Sequence, residues 1–368
     1  MIFYTIGGFL FVLTVVVFFH ELGHFLVARW CGVAVKTFSL GFGPEIAGVN
    51  DRHGTRWRVS SIPLGGYVKF IDDDNVASAG HKSLDEMTPE ERKGSFQSKP
   101  LASRAAIVAA GPIANFVLAI VIFTAIFTLF GERITAAKVD IVNPGSAAQR
   151  AGFFPGDQVI SIDGETIESF GDMQRIVAMS PGQTLHFAIN RGGKTIEIEA
   201  TPERKEITDY FGNTISQGLL GIQRNPAPND WTLKRYDPFA AFLRALQECY
   251  LIVSRSLIYL FDVVTGRESA DQLGGPLRIA QLSGQVASVS FIMLVNLAAV
   301  LSVSIGLLNL FPIPMLDGGH LLFYSIEAIR GRPLSETAQE IGFRIGFALI
   351  LMLMLFATWN DLIHNTFL

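Results

Sequence analysis

The sequence predicts a multi-pass α-helical membrane protein with four transmembrane helices, a cytoplasmic-side β-hairpin and an inserted extracytoplasmic α/β domain. Three observations lead there. Of 368 residues, 49% are hydrophobic and 17% charged, and the mean hydropathy of +0.38 is too apolar for an ordinary soluble chain. Four stretches, about 2–28, 104–130, 291–311 (continuing less regularly to about 328) and 342–363, reach the roughly 20 apolar residues that cross a bilayer. Between the second and the third, residues 131–290 turn polar and rich in turn signals. The net charge of −4 and the lack of any Lys/Arg cluster give no basis for nucleic-acid binding and leave membrane lipid as the expected surroundings. Cys31 and Cys249 lie far apart without a C-x-x-C, so neither a disulfide framework nor a cysteine metal site is indicated; both read as small apolar filler.

The first stretch lacks a basic n-region and is too long for the apolar region of a signal peptide, so it reads as a mature span. Within it stands His20-Glu21-Leu22-Gly23-His24. Two histidines four apart share one helix face. That is the spacing with which H-E-x-x-H holds zinc, leaving the glutamate beside the open position as a general base. Histidines bonded to a neighbouring helix would explain either ring alone but not the set. Two imidazoles and a carboxylate are also costly in hydrocarbon without a compensating task.

Arg29 and Lys36 follow span one, Lys99 and Arg104 precede span two, Arg330 and Arg332 follow span three, and Arg344 opens span four. This bias makes both short connections cytoplasmic, and both termini and residues 131–290 extracytoplasmic. His20 and His24 then lie toward the cytoplasmic side. In the first connection, Ser39–Pro44 and Trp57–Lys69 are β-rich and glycine-punctuated, as in a hairpin over 36–71. It is either a soluble hairpin or a re-entrant one whose backbone is covered by protein or water. Residues 72–98 read as an acidic, mobile surface loop.

The extracytoplasmic part reads as a compact domain over 131–225. A short helix ends at Ala151-Gly152, a second spans 170–179, and strands follow at 184–190 and 195–200, the last alternating as Thr195-Ile196-Glu197-Ile198-Glu199. Residues 226–290 read as linker plus one amphipathic helix over 238–264, lying on the membrane surface or packed on the spans. The domain limits are thus 1–130, 131–225, 226–290 and 291–368.

A catalytic zinc usually takes a third protein ligand. Asp317, in Asn309-Leu310-Phe311-Pro312-Ile313-Pro314-Met315-Leu316-Asp317-Gly318-Gly319-His320, is the intramembrane carboxylate on offer. Pro312 and Pro314 cannot sustain a regular helix, and open backbone within a membrane implies a protein or water cavity. Gly318 and Gly319 would allow close approach to the metal. Asp317 as a helix N-cap is the alternative, and His320 ranks below it as a ligand. Glu327, near the cytoplasmic boundary, reads as solvated.

Together these residues resemble the site-2 proteases, most closely the bacterial regulator-of-sigma-E protease branch. His20–His24 matches the zinc motif, and Asn309 through Asp317-Gly318-Gly319 matches N-x-x-P-x-P-x-L-D-G-G. In support, Gly111-Pro112-Ile113-Ala114-Asn115 matches G-P-x-x-N, and Leu273-Gly274-Gly275-Pro276-Leu277 resembles the G-P segment before span three. The resemblance covers nearly the whole chain and favours the re-entrant hairpin. It implies one Zn2+ per chain on His20, His24 and Asp317, with Glu21 as base. It also implies a substrate backbone held by Asn309, Pro312 and Pro314, and an edge at Ser61–Tyr67, including Gly65 and Gly66, for strand addition. Gly145–Gly164 looks like a PDZ domain, and Gly218-Leu219-Leu220-Gly221-Ile222 resembles its carboxylate-binding loop. Relatives in the branch carry two PDZ domains where residues 134–225 hold one.

The implied activity is a zinc metalloendopeptidase of a bacterial inner membrane, with the PDZ-like domain and termini periplasmic. It would cut single-pass membrane proteins, such as a truncated anti-sigma factor, after an upstream site-1 protease, and release a fragment to the cytoplasm. The competing readings are a non-catalytic PDZ adaptor with a structural zinc and a metal transporter. The first should have a closed site of four protein ligands, and the second an acidic or His-lined path to both faces.

Overall fold

The computed structural model describes residues 2–73, 87–208, 214–227, 230–266, 270 and 274–364. In chain order the elements are α1 (Ile2–Trp30), β1 (Val35–Asn50), β2 (Arg56–Phe70), α2 (Pro89–Gly94), α3 (Leu101–Leu129), β3 (Glu132–Thr135) and β4 (Ile141–Val142). There follow α4 (Ala147–Ala151), β5 (Gln158–Ile162), β6 (Glu165–Thr166), α5 (Phe170–Met179), β7 (Leu185–Arg191), β8 (Lys194–Ala200), β9 (Glu203–Thr208), β10 (Thr214–Leu219), β11 (Ile222–Gln223) and β12 (Trp231–Lys234). The chain closes with α6 (Pro238–Val264), α7 (Pro276–Val289), α8 (Phe291–Asn309), α9 (Asp317–Arg330) and α10 (Glu336–His364). Among the described residues, four helices, α1, α3, α8 and α10, are long and apolar enough to cross a membrane. Contacts divide the chain into one unit of Met1–Ile126, Phe242–Ser256 and Gly274–Leu368 and another of Phe127–Ala241 and Leu257–Leu273.

In the first unit, small residues let helices approach closely, as membrane packing favours. A methyl at Gly23 would meet the Ala110 carbonyl of α3 at 2.2 Å, and one at Gly8 would meet the Ser283 carbonyl of α7 at 2.7 Å. The long strands β1 and β2 pair and bend, so that Phe38 faces both Val68 and Trp57. Their apolar face joins Phe25 and Ala28 of α1 and Ile107 of α3 in one buried cluster. That cluster fixes β2 along the C-terminal half of α1, beside the histidines.

Between α8 and α9 the backbone opens at Leu310–Leu316, as two prolines in three residues require. Met315 takes a positive φ of 87°, and the turn is held by short-range bonds such as Leu316 N–H to Ile313 O at 3.0 Å.

Three expectations for this unit need correction. The stretch expected as linker after residue 264 contains α7, which packs on α1 and α8. Its start is tied to α10 by Asp361, which accepts from the backbone of Gly275 at 2.9 Å and Arg278 at 3.1 Å. Residues 72–98 are not simply a surface loop. Asp72 is fully buried and accepts from Ser95 Oγ and Gln97 N–H, and a Thr88–Glu91 capping box starts α2. Glu327 is not left to solvent: its side chain is 16% exposed and pairs with Arg104 of α3 at 2.6 Å. Within 72–98, residues 74–86 lie outside the described residues, as does Leu273 of the G-P segment.

The second unit has a four-stranded antiparallel sheet in the order β6-β5-β7-β8. Alternation along β7 and β8 sends Leu185, Phe187, Ile189, Ile198 and Ala200 into one core with Val139, Ala148, Phe153 and Met173. Ser146 caps α4 and Gly152 closes it in the left-handed conformation. The four short pieces expected over 147–200 therefore fall where the turn and cap residues place them.

Candidate metal centre

His20 and His24 stand one turn apart on α1, with ring centroids 4.8 Å apart. Their Nε2 atoms are 3.2 Å apart. The break after α8 delivers Asp317 as the first residue of α9, with Leu316 as the cap. Its Oδ2 lies 3.2 Å from His20 Nε2 and its Oδ1 3.5 Å from His24 Nε2. One ligand atom from each of these three residues falls within 4.8 Å of the others. Two imidazole nitrogens and a carboxylate oxygen form a donor set suited to zinc.

Two further observations fit a cation there. Asp317 Oδ2 is buried with no hydrogen bond satisfying it among the described residues, although His20 is near. The imidazole of His24 is oriented by Ile107, whose carbonyl takes the Nδ1 proton at 2.9 Å, so a neutral ring keeps a lone pair on Nε2. Gly111 lies four residues beyond Ile107 on the same face of α3. A methyl there would sit 2.2 Å from His24 Nε2 and 2.9 Å from His20 Cε1. Only a bare Cα leaves space for both rings.

Glu21 is adjacent to the histidines and meets the other wall of the site. A methyl on Gly66 would lie 3.0 Å from Glu21 Cγ and 2.9 Å from Val17 Cγ1, and the Val68 backbone N–H bonds to the Glu21 carboxylate. Gly65 follows the bend in β2 with φ 111° and lies against Phe42.

The remaining residues singled out in the sequence are placed as follows. Asn309 ends α8, with Pro312 and Pro314 in the open turn after it. Gly318 and Gly319 approach that turn rather than the metal position: a methyl on Gly318 would be 2.3 Å from the Leu310 and Phe311 carbonyls, and one on Gly319 2.4 Å from that of Ile313. His320 packs its ring against Phe343 at 5.3 Å, outside the donor cluster. In the other unit, Gly218 and Leu219 close β10 and Ile222 opens β11, while the carbonyls of Leu220 and Gly221 accept from Ala148 and Asn143.

The second wall of the site went unassigned in the sequence. Ile107, Gly111 and Asn115 recur every four residues, and Asn115 Nδ2 reaches His20 Nδ1 at 3.2 Å. The signal was present in G-P-x-x-N, but a glycine and an amide at that spacing read equally as helix packing.

Residues 8–353 match peptidase family M50. A protein of Rhizobium meliloti (strain 1021) named as a zinc metalloprotease is 49% identical over 98% of this chain and 96% of its own length. Metalloprotease MmpA of Caulobacter vibrioides is 41% identical over 96% and 94%. Regulator of sigma-E protease RseP of Salmonella typhimurium is 29% identical over 98% and 98%.

Proposed function

The chain belongs to peptidase family M50 and is a zinc metalloprotease of a bacterial membrane, and we propose that it cleaves single-span membrane proteins within the bilayer. The observation that carries this reading is the convergence of His20, His24 and Asp317, the histidines flanking Glu21 on α1, a helix of membrane-spanning length, and Asp317 opening α9 just after α8, another such helix. Those three side chains hold the zinc. When bound, it supplies Lewis acidity toward a water molecule and the scissile carbonyl.

Glu21 takes a proton from the attacking water and returns it to the departing amine. Val68 and Gly66 of β2 hold the Glu21 side chain against the donor cluster, which preserves that geometry. A transmembrane helix buries its peptide groups in its own hydrogen bonds, so the substrate must unwind before it reacts. The β2 edge around Gly65 and Gly66 receives the unwound segment by strand addition, and Asn309 with the Pro312–Pro314 turn holds its backbone.

The same reading gives the protein its setting. Residues 1–130 and 291–368 form the membrane core in a bacterial inner membrane, with the active site toward the cytoplasm. Residues 131–225 form a periplasmic PDZ-like domain, and 226–290 join it to the core. A first protease shortens the substrate on the periplasmic side, and the product enters the cytoplasm. A membrane-tethered anti-sigma factor so truncated is a substrate of this type.

A comparison of membrane proteomes from wild-type and Glu21→Gln cells tests the proposal. Single-span fragments should accumulate in the variant while purified Glu21→Gln protein keeps its zinc. Wild-type cleavage by that variant, or no accumulated fragment, overturns it.

A further inference from the structure

Asn115 is fully buried in a helix long and apolar enough to cross a membrane. A carboxamide there is unfavourable unless its polar atoms are bonded. Its main chain is fixed: the Asn115 carbonyl accepts from Ser302 Oγ of α8 at 2.8 Å, and its Cβ lies 3.2 Å from where a methyl on Gly306 would stand. From that anchor the amide reaches, among the described residues, one group, Nδ1 of His20, through Nδ2 at 3.2 Å, while Oδ1 stays buried with no hydrogen-bond partner among them.

The two ring nitrogens of His20 are coupled. A neutral imidazole carries one proton. When Asn115 donates to Nδ1, the proton sits on Nε2, where the lone pair of His24 Nε2 accepts it at 3.2 Å. That arrangement suits a metal-free ring and blocks coordination through Nε2. For Nε2 to face a cation with its lone pair, the proton must move to Nδ1, and Nδ1–H then needs an acceptor. A half-turn of the amide brings the unpartnered Oδ1 to that place without moving any other group. His24 already has the matching arrangement, its Nδ1–H being held by the Ile107 carbonyl two turns earlier on the same face of α3.

We propose that Asn115 is a positioning residue for the zinc site: its Oδ1 accepts the His20 Nδ1 proton and so presents the Nε2 lone pair to the metal. This rests on the reading of His20, His24 and Asp317 as the ligand set. Gly111 and Asn115 then have one joint task, the first leaving space for the rings and the second setting the tautomer of His20.

The test is zinc affinity, measured by chelator competition on the purified full-length protein in detergent, together with thermal unfolding of each metal-free variant. Asn115→Leu keeps the bulk and removes the acceptor; it should weaken zinc about 10- to 100-fold, the usual loss for a partner that orients a ligand. Asn115→Asp keeps an acceptor and removes the donor; it should hold zinc at least as tightly as the wild type. Wild-type affinity in a folded Asn115→Leu protein overturns the proposal. If that variant does not fold, the aspartate variant decides alone: a tenfold loss of affinity overturns the proposal, and wild-type or tighter binding supports it. His20→Ala and Asp317→Ala serve as references, because undiminished zinc in both would overturn the ligand set itself rather than the role of Asn115.

Discussion

Gly111 stands where a methyl group would lie 2.2 Å from Nε2 of His24. Alanine in the middle of a helix is ordinarily more stable than glycine by about 1 kcal/mol, so Gly111→Ala should not unfold α3. The added carbon instead displaces the ring from the Ile107 carbonyl and from Asp317. The expected outcome is at least a tenfold loss of zinc affinity by chelator competition, with thermal stability of the metal-free protein retained. Wild-type zinc content in Gly111→Ala would show that the rings have slack that these contacts do not indicate.

Gly66 performs the same service for Glu21. A side chain there meets Ser39 O at 2.9 Å, Val17 Cγ1 at 2.9 Å and Glu21 Cγ at 3.0 Å, so Gly66→Ala pushes β2 away from α1. The donor cluster lies on other atoms and should keep its metal. Displacing a reacting group by about 1 Å is able to cost on the order of 100-fold in rate. Gly66→Ala is therefore expected to cleave a model single-span substrate 10- to 100-fold more slowly with zinc content unchanged. Equal loss of zinc and activity would mean that β2 supports the ligands rather than the base.

Asp361 ties α10 to the start of α7. It is 2% exposed and accepts from the backbone N–H of Gly275, the cap residue of α7, and of Arg278 in its first turn; α7 in turn packs on α1. Removing such a cap typically costs about 0.5–2 kcal/mol. Asp361→Ala should lower the unfolding temperature of the detergent-solubilised protein. Asp361→Asn keeps one acceptor and should fall between that variant and the wild type. If asparagine destabilises as much as alanine, the interaction depends on charge more than on acceptor count.

Much of this architecture was legible in the residues because it is local. The H-E-x-x-H spacing sets a shared helix face, the two prolines open the chain before Asp317, and Ser146 and Gly152 bound α4. What was not legible depends on neighbours distant in sequence. Glu327 looked solvated because Arg104 is 223 positions away. Residues 276–289 looked like linker because their partner surface is α1. Gly318 and Gly319 looked like a metal approach, whereas the carbonyls crowding them belong to the turn that delivers Asp317. Each miss concerns a contact that no local pattern encodes.

The folded second unit carries a pH dependence of its own at Asp157 and Arg191. Asp157 is almost fully buried, at 1% side-chain exposure, and accepts from Arg191 Nε and Nη2 at 2.7 Å each and from the Phe154 N–H at 2.8 Å. Burial, the largest single influence, opposes its ionisation, but the Arg191 hydrogen bonds, the Phe154 N–H and the Arg191 charge together outweigh it and hold the carboxyl below the usual aspartate range. A carboxyl depressed on folding adds stability above its unfolded value and loses it as pH falls through the folded one. The contribution should therefore be complete at neutral pH and decline below about pH 4. Hydrogen bonds to a charged group contribute about 1.5–3 kcal/mol, and Asp157→Asn should lose stability of that order at pH 7. The measurement is protease resistance of residues 139–200 in the full-length protein at pH 7 and pH 3. Wild type should become more susceptible at pH 3, and Asp157→Asn should change less between the two. An equal pH response in both proteins would place the acid sensitivity of this unit elsewhere.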